Sequence, residues 1–106
     1  GTHDNDTLQS WYKNLSKQDK KLSQDYIGNA DHPVEKINWD FIRLAMGSVA
    51  KLCIIPMQDY LGLGSEARIN MPATLGDNWK WRMKKGEFKK KLSKKVFEIT
   101  KLYGRL

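Results

Sequence analysis

The sequence predicts an α/β fold, mostly helical by content, in which a buried parallel strand sits among amphipathic helices. Two observations carry this. Trp39, Ile42, Met46 and Val49 recur at helical spacing and run directly into Leu52-Cys53-Ile54-Ile55-Pro56, a continuous apolar run rich in branched residues. Such a run fits a strand buried on both faces, and helix followed by buried strand is half of a β/α unit. Near the end of the chain, Phe88, Leu92, Val96, Ile99 and Tyr103 fall four, four, three and four residues apart, the apolar stripe of one more helix.

Taken in order, the chain opens on Gly1-Thr2-His3-Asp4-Asn5-Asp6-Thr7, a polar, turn-prone loop. Asp6 or Thr7 can cap a first helix whose apolar positions are Leu8, Trp11, Tyr12 and Leu15. Ser16, with Asp19 three residues on, offers a loose capping box to a second, polar helix with Leu22 and Tyr26 on its apolar side. Gly28 to Pro33 is a loop, marked by Gly, Asn, Asp and Pro within six residues. A third helix is expected from Asn38, read as its cap, to about Lys51. The Leu52–Pro56 strand follows, then a stretch from Gln58 to Lys85 that is mostly loop, with Gly62, Gly64, Pro72 and Gly76. The closing amphipathic helix is expected over 87–103. One doubly buried strand needs parallel neighbours that this chain does not supply, so the inventory reads as a piece of a larger domain.

Composition sets limits on partners. The chain has 106 residues, 40% hydrophobic, with four Trp and four Tyr, the make-up of an ordered domain. No apolar run approaches the roughly 20 residues that span a bilayer, so no membrane partner is expected. Cys53 is the only cysteine, flanked by Leu52 and Ile54, and reads as an inert, buried thiol without an internal disulfide. The net charge of +7 raises nucleic acid as a partner. Lys84, Lys85, Lys89, Lys90, Lys91, Lys94 and Lys95 supply most of it and fall outside the closing apolar stripe, as a solvated helix face does. No aromatics interleave with them in sequence to stack bases, so no nucleic acid is expected. A basic module that binds a polymer without catalysis is the alternative reading.

Three motifs carry candidate chemistry. His3, Asp4 and Asp6 fit a polar site, and equally fit caps and Asx-turns. Gln58 and Asp59 follow the predicted strand, where functional groups of parallel α/β folds gather, yet they can also cap the next turn. Ser65-Glu66-Ala67-Arg68-Ile69-Asn70-Met71-Pro72, followed by Asn78-Trp79-Lys80-Trp81-Arg82, offers amide and guanidinium donors for hydroxyl pairs and indole faces for pyranose rings. Loop anchoring is the competing role for the tryptophans. His3, Asp4, Asp6 and His32 could also be metal ligands of an HD-type phosphohydrolase, but His32 is the only other histidine and the site would lack ligands.

Taken together and in this order, these three motifs resemble the closing section of amylomaltases, glycoside hydrolase family 77. The similarity covers nearly the whole chain and is weakest from Ser16 to Lys36. It implies the C-terminal portion of a (β/α)8 TIM barrel, with residues 1–7 as the loop after strand seven, 52–56 as strand eight and 87–103 as the helix closing the wall. It implies a 4-alpha-glucanotransferase that retains configuration: an Asp attacks the anomeric carbon, a Glu protonates the departing oxygen, and a second Asp directly after a His supports the transition state. By the His-Asp motif that second Asp is Asp4, with His3 as its sugar-binding neighbour; the resemblance also places Asn70 near the glucan. The nucleophile and acid/base lie upstream in the family, so this chain alone is expected to be inactive. The partners implied are α-1,4-glucans and the upstream remainder of the barrel, with self-association of an isolated fragment through its unpaired strand edge. No cofactor and no metal are implied, and the expected setting is the cytoplasm.

Overall fold

The structure, a computed structural model, describes residues 3–28 and 32–106. Gly1 and Thr2 of the opening loop, and 29–31 of the loop expected between Gly28 and Pro33, lie outside the described residues. Among the described residues five helices follow one another: α1 (Leu8–Lys13), α2 (Lys17–Ile27), α3 (Ile37–Met46), α4 (Met57–Tyr60) and α5 (Lys90–Leu102). Two 3-10 turns, Val34–Lys36 and Ser65–Ala67, lead into α3 and follow α4.

Side-chain caps set the starts of α1 and α2. Of the two candidate caps for α1, Thr7 takes the role, its Oγ1 accepting the Ser10 N–H at 3.4 Å. Asp6 contributes one step earlier, accepting the Thr7 N–H at 2.8 Å. At α2, Ser16 Oγ accepts the Asp19 N–H at 3.0 Å and donates to the Asp19 carboxylate at 2.8 Å. Gly28 ends that helix at φ +76°, a left-handed conformation that glycine adopts without Cβ strain. The side of α2 read as apolar is not covered within this chain: Leu22 is 67% and Tyr26 76% exposed.

The third helix departs from expectation at both ends. Asn38 is not its cap. Pro33 and the 3-10 turn feed the chain into α3 at Ile37, and Asn38 lies in its first turn, 2% exposed, with a side chain used for tertiary hydrogen bonds. The helix ends at Met46 rather than near Lys51. Arg105 accounts for that end: its Nε donates to the Met46 carbonyl at 2.6 Å, and its Nη2 to those of Ser48 and Ala50, both at 3.0 Å. A cation placed on the last carbonyls of a helix satisfies acceptors the helix itself leaves open. Val49, expected on the stripe, is therefore beyond the helix and fully exposed.

Residues 52–56 form no sheet ladder, and no β-strand is present among the described residues. Their burial still alternates. Cys53 and Ile55 pack on the core, while Leu52 and Ile54 face outward at 74% and 68% exposure. That two-residue period is the geometry of extended chain, and among the described residues no neighbouring strand offers it a ladder of N–H and C=O partners.

The core is thin. Ile42, Met46 and Ile99 form its buried centre, with Trp39, Cys53, Ile55, Tyr60 and Tyr103 packed around them. Only six apolar side chains are buried among the described residues, whereas sixteen large ones are exposed. The radius of gyration is 14.6 Å, against roughly 13 Å for a compact domain of this length. α5 begins at Lys90, three residues later than expected, and joins the core through Ile99. Its lysines are solvent-exposed, and Lys95 lays its Nζ 3.7 Å from the centre of the Trp39 ring. Burial against that ring lowers the Lys95 pKa, helped by the positive charges of Arg43, Lys36 and Lys91.

Candidate active site

The three motifs meet in space. Asn70 Nδ2 donates to Asp4 Oδ1 at 2.7 Å across 66 residues of sequence. Arg68 Nη2 donates to the Asp4 carbonyl at 2.6 Å, and Arg68 Nε donates to the Asn70 carbonyl at 3.0 Å. Arg68 thus fastens the opening loop to the loop that carries Asn70, and Asn70 orients the carboxylate. His3 Nε2 lies 3.3 Å from the same Asp4 oxygen. All three residues singled out from the sequence, His3, Asp4 and Asn70, are therefore brought into one cluster.

Asp59 and Gln58, just after the extended run, hold main chain in place. Asp59 Oδ1 accepts the Leu8 N–H at 2.8 Å, so its carboxylate supports the start of α1 beside Thr7. Its carbonyl accepts from Asn38 Nδ2 at 2.7 Å. Gln58, buried, donates to the Ala67 carbonyl at 3.2 Å and fixes the turn before Arg68. Gln9 completes the frame, donating to the carbonyls of Val34 and Glu35 at 3.3 and 3.1 Å and meeting Asn38 Oδ1 at 3.4 Å. Gln9 carries no signal in the sequence, and Asn38 signals only a helix cap, a role it does not fill.

A cavity of about 650 Å³ opens beside this cluster. His3, Asp4, Asp59 and Arg68 form its polar side, and Trp11, Phe41, Ile42, Ile54 and Ile55 its apolar side. Asn70 does not line it; its side chain is spent on Asp4. The loop beyond Asn70 is braced by Asn78, whose Oδ1 accepts the Met71 N–H at 2.9 Å while its Nδ2 donates to Thr74 Oγ1 at 3.0 Å. This delivers Trp79 onto His3, with ring centroids 4.8 Å apart.

The phosphohydrolase ligand set does not assemble. His32 instead pairs with Asp40 of α3 (Nδ1 to Oδ2, 2.5 Å), and among the described residues no group of three or more His, Cys, Asp or Glu side chains could hold a metal ion.

Burial raises the Asp59 pKa above its ordinary 3.8, opposed by the hydrogen bond from Leu8 and assisted by the nearby charge of Asp6. The folded state then holds this proton more tightly than the unfolded state. Its stabilising contribution is full below pH 3.8 and is lost as pH rises through the raised value. Asp59→Asn removes that loss while keeping an oxygen for the Leu8 N–H. Urea unfolding at pH 4 and pH 7 is expected to show a smaller loss of stability on going to pH 7 in Asp59→Asn than in the parent. An equal loss in both proteins refutes the assignment.

Residues 1–89 match the family model of the 4-alpha-glucanotransferases, glycoside hydrolase family 77. The chain is 44% identical over 106 residues to a 4-alpha-glucanotransferase of Clostridium butyricum, covering 99% of this chain and 21% of that protein. It is 46% identical over 105 residues to one from Synechocystis, covering 99% of this chain and 20% of the relative. Among solved structures it is similar to the amylomaltase from Streptococcus agalactiae in complex with acarbose, at a TM-score of 0.90 and 34% identity over 99% of this chain and 21% of that one. The chain thus spans about a fifth of the length of the curated relatives it matches. With a family model over most of its length and a fold that overlays an amylomaltase, the chain belongs to the 4-alpha-glucanotransferases of glycoside hydrolase family 77.

Proposed function

We propose that this chain is the closing part of a longer enzyme that moves a segment of an α-1,4-glucan to the 4-hydroxyl of an acceptor glucan or glucose, with retention of configuration. The observation that carries this reading is the Asn70–Asp4 hydrogen bond of 2.7 Å, which sets one carboxylate in a fixed orientation within a cluster of sugar-compatible donors. Asp4 is the transition-state stabiliser. Its negative charge lies where an oxocarbenium-like centre develops positive charge, and a fixed charge needs no reorganisation as the reaction proceeds. His3 donates to hydroxyls of the sugar ring beside it. Asn70 acts through Asp4. The acarbose held by the Streptococcus agalactiae relative supports a glucan as the ligand.

On this reading the last β/α units of a (β/α)8 barrel are present: residues 1–7 form the loop after strand seven, 52–56 strand eight and 87–103 the closing helix. The alternating burial of 52–56 and the sixteen exposed large apolar side chains support a surface that the remainder of the barrel covers. The nucleophile and the acid/base belong to that remainder, since retention requires two carboxyls about 5 Å apart in addition to Asp4. No cofactor enters the chemistry, and we place the enzyme in the cytoplasm.

Chromatography of maltotriose incubated with the full-length gene product, its Asp4→Asn variant and the 106-residue chain alone tests all of this. The full-length parent is expected to release glucose together with longer maltodextrins, and the isolated chain to leave maltotriose untouched. A parent that leaves maltotriose unchanged overturns the function. Transfer by the isolated chain overturns the claim that its catalytic partners lie elsewhere.

A further inference from the structure

Trp79 holds a backbone conformation that its side chain disfavours. Its φ is +63°, in the left-handed region where a bulky residue with a Cβ is strained. Its N–H donates to the Ile69 carbonyl at 2.7 Å, which pins the main chain in that conformation. Core packing does not explain the strain, because the residue remains 57% exposed. What the conformation achieves is contact with His3: ring centroids 4.8 Å apart, planes tilted by 40°. The imidazole is itself 53% exposed, and among the described residues its contacts are the Asp4 carboxylate and this indole. Ala73 and Asp77 of the same loop also hold positive φ, so what sets Trp79 apart is the ring this conformation lays on His3.

We infer that Trp79 is a positioning residue of the glucan site, its indole holding the His3 imidazole in the orientation that meets Asp4 and presents the ring to sugar hydroxyls. The inference rests on the function proposed above. Without the indole, His3 regains rotamer freedom that each binding event must then remove. A hydroxyl contact made by His3 exists in the ground state and in the transition state alike, so its loss raises KM more than it lowers kcat.

The test uses the full-length protein with maltotriose. Trp79→Ala is expected to lower kcat/KM roughly 10- to 100-fold, the range for a misplaced site group, with most of the change in KM. Trp79→Gly separates ring from backbone: glycine accepts φ +63° freely, so this variant is at least as stable as Trp79→Ala yet equally impaired. Trp79→Phe, which restores a ring against His3, recovers most of the loss. Parental KM in the glycine variant, a fall confined to kcat, or no recovery with phenylalanine each overturns the inference. If the parent itself fails to disproportionate maltotriose, the function falls instead, and NMR then judges the ring contact separately. Upfield-shifted His3 imidazole protons in the parent that return to ordinary positions in Trp79→Gly uphold the positioning role; unshifted protons in the parent end it.

Discussion

Replacing Asp4 by Asn in the full-length enzyme is expected to lower kcat for maltotriose by roughly 10²- to 10³-fold, about 2.7–4 kcal/mol, the range for removing one preorganised electrostatic partner of a transition state. The amide has the size of the carboxylate and can still accept from Asn70 Nδ2, now 2.7 Å from Asp4 Oδ1, so the cluster keeps its shape and loses only its charge. In the proposed role that charge matters when the sugar ring flattens and turns positive, and little before. The change therefore falls on kcat, with KM altered only a few-fold. Initial rates of glucose release over a range of maltotriose concentrations separate the two. A kcat within tenfold of the parent sinks the assignment of Asp4 and leaves the family membership standing.

The second large effect concerns stability. Asn38→Ala is expected to lower the unfolding free energy by about 1–3 kcal/mol, from the lost hydrogen bonds of a buried amide and the small cavity it leaves. Asn38 is 2% exposed, and its Nδ2 donates to the Asp59 carbonyl at 2.7 Å, beside the Gly62 N–H at 3.2 Å. Asp59 in turn accepts the Leu8 N–H, so the loss travels from α3 through the α4 turn to the segment that follows Asp4. Asn38→Asp is the sharper comparison. It keeps the shape and removes the donor, setting an acceptor against an acceptor, so at pH 7 it is expected to be at least as damaging as alanine. Urea unfolding of the parent and both variants measures this, and an aspartate variant as stable as the parent refutes the role. The same variants are expected to show lower kcat/KM, because the loop bearing Asp4 loses its support.

These two residues differ in how far the sequence reveals them. Asp4 follows His3 in a short polar motif that occurs with two others in a fixed order, and that order led to the family and to the cluster. Asn38 is read from sequence as a cap because Asn is a good one and precedes an apolar stripe. The competing influence is tertiary: a 3-10 turn starts the helix earlier, and burial against the Asp59 turn gives the amide partners far away in the chain. Arg105 belongs with Asn38. As the penultimate residue it carries no local signal, yet its three bonds to carbonyls between Met46 and Ala50 stand at the end of α3. The extended run at 52–56 shows the converse. Its apolar composition is legible, but a strand exists only when a partner supplies hydrogen bonds, and no such partner is among the described residues.

By itself the sequence determined the family, the amphipathic character of the third and closing helices, the cap of α2, the two candidates for the cap of α1, and His3 and Asn70 as neighbours of Asp4. The helices and caps depend on local spacing or side-chain chemistry within a few positions, and the family and the cluster residues on short motifs met in a fixed order. Only the tertiary structure decided which oxygen Asn70 binds, that Arg68 joins the two loops through main-chain carbonyls, that Asn38 and Asp59 support the start of α1, and that Trp79 rests on His3. Those contacts join residues from about 20 to more than 70 positions apart. Their partners are chosen by where whole segments pack, which no local pattern encodes.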